Sequence, residues 1–190
     1  MDAEALGNVS TAVGANARSE GDATVALGAS AFANNGGTAF GFSTDAGTGV
    51  RGTAIGFDAT SSGDRTVAIG DRASAVGSNS VAIGSQAEAA INSLALGQST
   101  SAGPFGTSLG FRAVSATNGT AVGFDAAASG TRSTALGVEA VAEQAGSTAI
   151  GAGAVTTATN QVTLGGTGSS VRIGDLAAST AAQEGPVDVV

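Results

Sequence analysis

The sequence predicts an all-β chain folded as a parallel β-solenoid of about twelve coils, each 13 to 15 residues long. Three observations predict it. First, glycine recurs at that interval, at Gly14, Gly28, Gly41, Gly56, Gly70, Gly84, Gly97, Gly110, Gly123, Gly137, Gly151 and Gly165. The period is too short for helical hairpins or propeller blades, which need roughly 34 to 50 residues. Second, a three-residue phrase precedes each glycine and alternates large, small, large: TAV, VAL, TAF, TAI, VAI. Alternation with period two is the mark of a strand with distinct faces. Third, the third residue after the glycine is Ala in nine repeats, and the fifth is always Ala, Ser or Thr. That reads as a second strand with a row of tiny residues on one face.

Taken in order, residues 1–9 form a lead-in, 10–165 the repeats, and 166–190 a transition and connector. Within a repeat the first strand ends at the anchor glycine, which supplies the backbone freedom of a tight turn. The second strand follows, and a second turn falls seven residues after the anchor, where Gly21, Gly63, Gly77 and Gly130 stand. Two strands of about five residues and two turns complete a coil. Coils stack at roughly 4.8 Å, so twelve make a rod about 58 Å long. The 15-residue spacing from Gly41 to Gly56 and the three 13-residue spacings from Gly84 to Gly123 are expected to change a turn length and leave the rod intact. Pro104 falls at a turn, where its missing donor costs little. After Gly165 the period fails, because VRIG closes nine residues later at Gly174. Neither end shows an obvious cap, and the expectation is a segment of a longer chain.

A two-stranded coil filled with Ala is thin and buries little apolar area. The large residues before the anchors then need a partner. Val13, Leu27, Phe40, Ile55, Ile69, Ile83, Leu96, Leu109, Val122, Leu136, Ile150 and Leu164 form a continuous stripe along the rod. Such a stripe predicts a closed oligomer of parallel rods.

Composition narrows the function classes. The 190 residues carry seven Arg, no Lys and 15 acids, for a net charge of −8. That disfavours nucleic acid and anionic membrane surfaces as partners, since both need a concentrated basic face. No Cys or His is present, which removes the usual nucleophilic triads, zinc sites and disulfide staples. The opening MDAEALGNVS has no signal-peptide pattern, and no apolar run of about 18 residues spans a membrane. No catalytic residue, cofactor or metal site is expected. Asp58, Asp64, Asp71 and Asp125 read as solvated turn acids. GGTGSS at 165–170 lacks the Gly-Lys-Ser/Thr ending of a phosphate loop, and the calcium-binding nonapeptide of other solenoids is absent.

The phrases TVAIGDRASA, SVAIGSQAEA and STAIGAGAVTT resemble the head repeats of trimeric autotransporter adhesins, the YadA-like head family. ATNQVTLGGTGSSVRIGDLAAST resembles the start of that family's neck, so the likeness spans about 10–180. The resemblance implies a left-handed parallel β-roll, a homotrimer of parallel chains, and display in a fibre on the bacterial surface. The outer-membrane anchor would lie in parts outside this chain. It also implies a non-enzymatic adhesin head that attaches to host extracellular-matrix protein or an abiotic surface. The family's neck usually continues with a DAVN-type motif before a coiled coil, and TAAQEGPVDVV stands here instead. Two other classes fit a rod: a purely structural fibre spacer, and a segment of a phage tail fibre.

Phe42, Phe57, Phe111 and Phe124 each follow an anchor glycine directly. The same position elsewhere holds Ala, Asp, Ser, Gln, Val or Gly, so it tolerates polarity and is expected to be exposed. The four fall in two adjacent-coil pairs and are expected to stack. They are candidates both for cross-coil packing and for an adhesive surface. The Thr residues three places before the anchors share their column with Val25, Val67, Val81, Leu94 and Val162. That mixture reads as a packed strand face and not as an ordered ice-binding array.

Overall fold

The computed structural model describes residues 2–171. The coils build two parallel sheets, most coils contributing one strand to each, in agreement with the all-β solenoid reading. One sheet has twelve three-residue strands, from Thr11–Val13 to Val162–Leu164. The other has ten two-residue strands, from Glu4–Ala5 to Ala127–Ala128, and isolated bridges extend it through Val141 and Val155. The strands are shorter than the five residues expected from sequence. The flanking residues bend into the corners while still bonding to the neighbouring coil, as in the Glu4 amide to the Ala17 carbonyl (2.9 Å) and the Thr11 amide to the Thr24 carbonyl (2.9 Å).

Register never slips. Ala54 lies over Ala68 and Ala68 over Ala82, and Ile55, Ile69 and Ile83 form the adjoining ladder. Each middle Ala points between the sheets, where it meets the small residues of the short strands. The core therefore contains Ala with scattered Ser and Thr, and the largest fully buried side chains are Thr. No Val, Leu, Ile or Phe is buried among the described residues. Hydroxyls in this core find one another: Ser61 pairs with Thr66 at 2.6 Å, Ser147 with Thr156 at 2.9 Å and Ser108 with Ser115 at 2.8 Å. Thr66 also donates to the Gly63 carbonyl at 2.8 Å, closing the corner it begins.

The two corners differ. At the anchor corner glycine is obligatory for two reasons. Gly41 and Gly56 have φ of 140° and 137°, a region closed to side chains. A Cβ on either would also lie 2.1 Å or 2.3 Å from the next anchor's carbonyl oxygen. The second corner absorbs the changes in coil length. In 13-residue coils it is a two-residue turn closed by a backbone bond, as in the Gly106 amide to the Gly103 carbonyl (2.8 Å) and the Gly119 amide to the Ala116 carbonyl (2.9 Å). In the 15-residue coil the extra residues make a wider bend over 47–51. The ladders on both sides continue unbroken, so the column positions hold along the rod.

Candidate adhesive and assembly surfaces

Because the small middle residue turns inward on every long strand, Ala on ten and Ser108 or Thr163 on the other two, its two neighbours turn outward. Twelve strands thus present 24 outward side chains, of which 17 are apolar and seven are Thr. None is charged, and none is buried within the single chain. The stripe residues Val13, Phe40, Leu96, Leu109, Leu136, Ile150 and Leu164 are exposed, and Leu27, Ile55, Ile69, Ile83 and Val122 are half-buried. With strands 4.8 Å apart and about 10 Å of strand length, this face covers on the order of 600 Å². That lies at the upper end of the largest apolar patch found on a monomer. The outer face of the two-residue strands is different. It carries Glu4, Arg18, Asp45 and Glu88 among Thr60, Ser74 and Ser101, with Phe32, Val114 and Ala127 as its apolar members. Water solvates that face well and the other badly.

The four Phe residues lie at the anchor corner beside the apolar face. Phe42 stacks on Phe57 with ring centroids 5.3 Å apart and planes 11° from parallel. Phe111 stacks on Phe124 at 5.3 Å and 13°. All four are exposed, Phe42 to 52% and Phe57 to 49%, against 37% for Phe111 and 45% for Phe124. The repeat dictates this geometry. Consecutive anchors set the rings one coil apart, and a column of parallel strands holds them in the same rotation.

The lower exposure of the second pair has a cause that sequence reasoning missed. The Arg112 guanidinium lies over both rings, 5.0 Å from the Phe111 centroid and 5.6 Å from that of Phe124. Its Nε donates to the Asp125 carboxylate at 2.5 Å, and a terminal nitrogen bonds the other oxygen. This fork holds the carboxyl of Asp125 below its ordinary range, chiefly through the hydrogen bond, and raises Arg112 for the same reason. Asp125 is thus paired and not a solvated turn acid. The signal was present in the sequence: an Arg directly after the first Phe, and an Asp directly after the second, one coil on.

Further apolar side chains that the stripe and the Phe pairs do not include stand at the second corner, with Ile91 and Phe105 both exposed in adjacent coils. Asp71 bonds Arg72 at 3.2 Å, and Asp64 accepts the Val50 amide at 2.9 Å. Among the described residues no three acidic, His or Cys side chains converge on one point. No helix there is long and apolar enough to cross a membrane. The neck-like segment beyond residue 171 lies outside the described residues.

The comparisons with known proteins agree with this geometry. The family model described as YadA head domain repeat (2 copies) matches residues 5–31, 48–73, 62–87, 75–99, 115–140 and 128–154. Those segments cover more than half of the chain. Among solved structures, the fold is similar to that of the collagen-binding domain of the Yersinia adhesin YadA, with a TM-score of 0.53 and 24% identity. That likeness covers 87% of this chain and 74% of the other. No curated protein matches the chain. Twelve coils with an Ala core, glycine-paced corners and repeated family matches lead to one conclusion: the chain belongs to the YadA head domain repeat family and is a surface-adhesin-type segment.

Proposed function

We propose that this chain is the non-enzymatic head of a trimeric fibre, displayed on a bacterial surface and attaching it to matrix protein or to an abiotic surface. The observation that carries the assembly is the uncharged outer face of the twelve-stranded sheet. It runs the length of the rod, and three parallel copies cover it by turning it towards one another. The stripe from Val13 to Leu164 is then interchain core, completing what the Ala interior leaves unburied. Residues 166–190 lead from the head into the neck of the fibre. The family's solved relative is named for binding collagen, which supports a matrix protein as the class of partner.

Adhesion is assigned to Phe42, Phe57, Phe111 and Phe124, which stand outside the apolar face at an exposed corner. Each pair recurs three times around the fibre, so weak contacts add through multivalency. Replacing all four with Ser leaves the fold intact, since Ser85 already occupies the same column. The measurement is attachment of the folded, assembled variant to collagen-coated and polystyrene surfaces. A fall of about tenfold or more supports the assignment. Unchanged attachment assigns these rings to packing and the chain to a spacer.

A further inference from the structure

The two aromatic pairs are built to one plan, and one of them lacks a part. In the second pair the order is Phe111-Arg112, then Phe124-Asp125 one coil on. In the first it is Phe42-Ser43, then Phe57-Asp58. The frames are equivalent. The ring separations are both 5.3 Å, at 11° and 13°. Asp58 and Asp125 have φ of 50° and 52°, and their amides bond the carbonyls of Phe42 and Phe111 at 3.0 Å and 2.9 Å. Ser43 and Arg112 also share a backbone conformation, with φ of 56° and 52°. What differs is the occupant. At the second pair a guanidinium lies across both rings with its fork on the carboxylate. At the first, Ser43 is too short to reach, and no side chain among the described residues bonds to the Asp58 carboxylate. Arg72, one coil beyond Asp58, turns to Asp71 instead.

We infer that Phe42, Phe57 and Asp58 form a vacant guanidinium seat, and that it takes an arginine side chain from a partner protein. The molecule contains its own template for the bound state in Arg112. A flat guanidinium satisfies both halves of the seat at once, stacking on the rings and forking onto the carboxylate. Lysine does this poorly, because its ammonium is a compact point charge with no planar face. Charge favours the same partner: the chain carries −8, which draws basic segments towards it. The rings are also barest where the seat is empty, at 52% and 49% exposed. This deepens the adhesive reading, since it rests on the first Phe pair facing outward, and it names the chemistry that pair recognises.

The test uses the full chain in its assembled form and two fluorescein-labelled peptides of alternating Gly and Arg, or Gly and Lys, with four charges each. Fluorescence polarisation at fixed ionic strength gives the ratio of the two affinities. Because both peptides carry the same charge, the ratio removes general attraction to an acidic rod. The arginine peptide is expected to bind about tenfold more tightly. Ser43→Arg fills the seat from within and should bring the ratio close to one, with melting unchanged because Arg112 already occupies the equivalent position. Should that variant fail to fold, Asp58→Asn provides the same test by removing the fork's acceptor. Arg112→Ser opens the second seat and should double the arginine peptide's stoichiometry. A wild-type ratio near one, or a ratio that Ser43→Arg and Asp58→Asn leave unchanged, overturns the proposal. So does a several-fold gain in Arg72→Gln, which would show the seat filled within the chain. Loss of larger wild-type assemblies in Ser43→Arg with no change in the ratio also overturns it, assigning the arginine to another copy of this chain. Attachment to polystyrene by the four-Phe variant is a separate readout, so the adhesive reading can fail without this one, and this one without it.

Discussion

Ser80 is fully buried, and its hydroxyl has no hydrogen-bond partner. Where Ser61 stands opposite Thr66 the two hydroxyls satisfy each other, and Ser133, opposite Ala128, donates to the Gly130 carbonyl at 2.6 Å; Ser80, opposite Ala75, makes neither bond. An unpaired buried hydroxyl costs roughly 1–3 kcal/mol, and a satisfied one stabilises by about 1 kcal/mol. Ser80→Ala is therefore expected to keep or raise the melting temperature. Thr66→Ala removes a partner from Ser61 and a bond from the Gly63 carbonyl, and should lower stability by about 1 kcal/mol. Thermal unfolding followed by circular dichroism checks both, and a reversed order would show that the hydroxyl columns do not stabilise the interior. At this scale the sequence was only partly legible. The Ala, Ser and Thr columns could be read from it, and so could the exposed position of the Phe residues. The Arg112 clamp left only a pattern, an Arg after one Phe and an Asp after the next, which does not by itself state where a long side chain lies. Arg72 makes the point: it occupies the same column as Arg112 and turns to its own neighbour, Asp71.

At the scale of the coil, the anchor corner is rigid and the second corner is adjustable. Gly56→Ala meets both a disallowed φ and a contact 2.3 Å from the Gly70 oxygen. The strain in φ alone costs roughly 1–3 kcal/mol, and the clash adds to it. The cost should be large against an insertion at the second corner. One extra Gly beside Val50, in the bend that already holds the longest coil, should change stability by less than about 1 kcal/mol. Denaturant titration of the two variants tests the asymmetry, and equal losses would contradict it. This division was legible because Gly41 to Gly56 and Gly84 to Gly123 change their spacing without breaking the alternation of TAF, TAI and SLALG. Strand length was not. A strand of three residues and one of five differ only in whether corner residues such as Ala17 and Thr24 keep ladder geometry, and hydrophobic alternation does not record that.

At the scale of the whole molecule, the fold places its large apolar residues on the outside and its small ones within. The inversion follows from the coil's thinness, since two sheets drawn together over Ala leave no room for Ile or Leu. The single chain then lacks the apolar burial that most domains find internally. Three parallel chains supply it if the face carrying Ile69 and Ile83 turns towards the axis. An Asp at either position would set three carboxylates in a dry row, at a cost of several kcal/mol or forced protonation. Ile69→Asp and Ile83→Asp are expected to dissociate the assembly, and the same change at Thr60 on the opposite sheet is expected to be tolerated. The most direct measurement is the native mass of the 17.7 kDa chain at micromolar concentration, alone and with Ile69→Asp. The account predicts a wild-type species of three times 17.7 kDa and a variant that falls to monomer or unfolds. A folded wild-type monomer, or an Ile69→Asp trimer of unchanged stability, would contradict it.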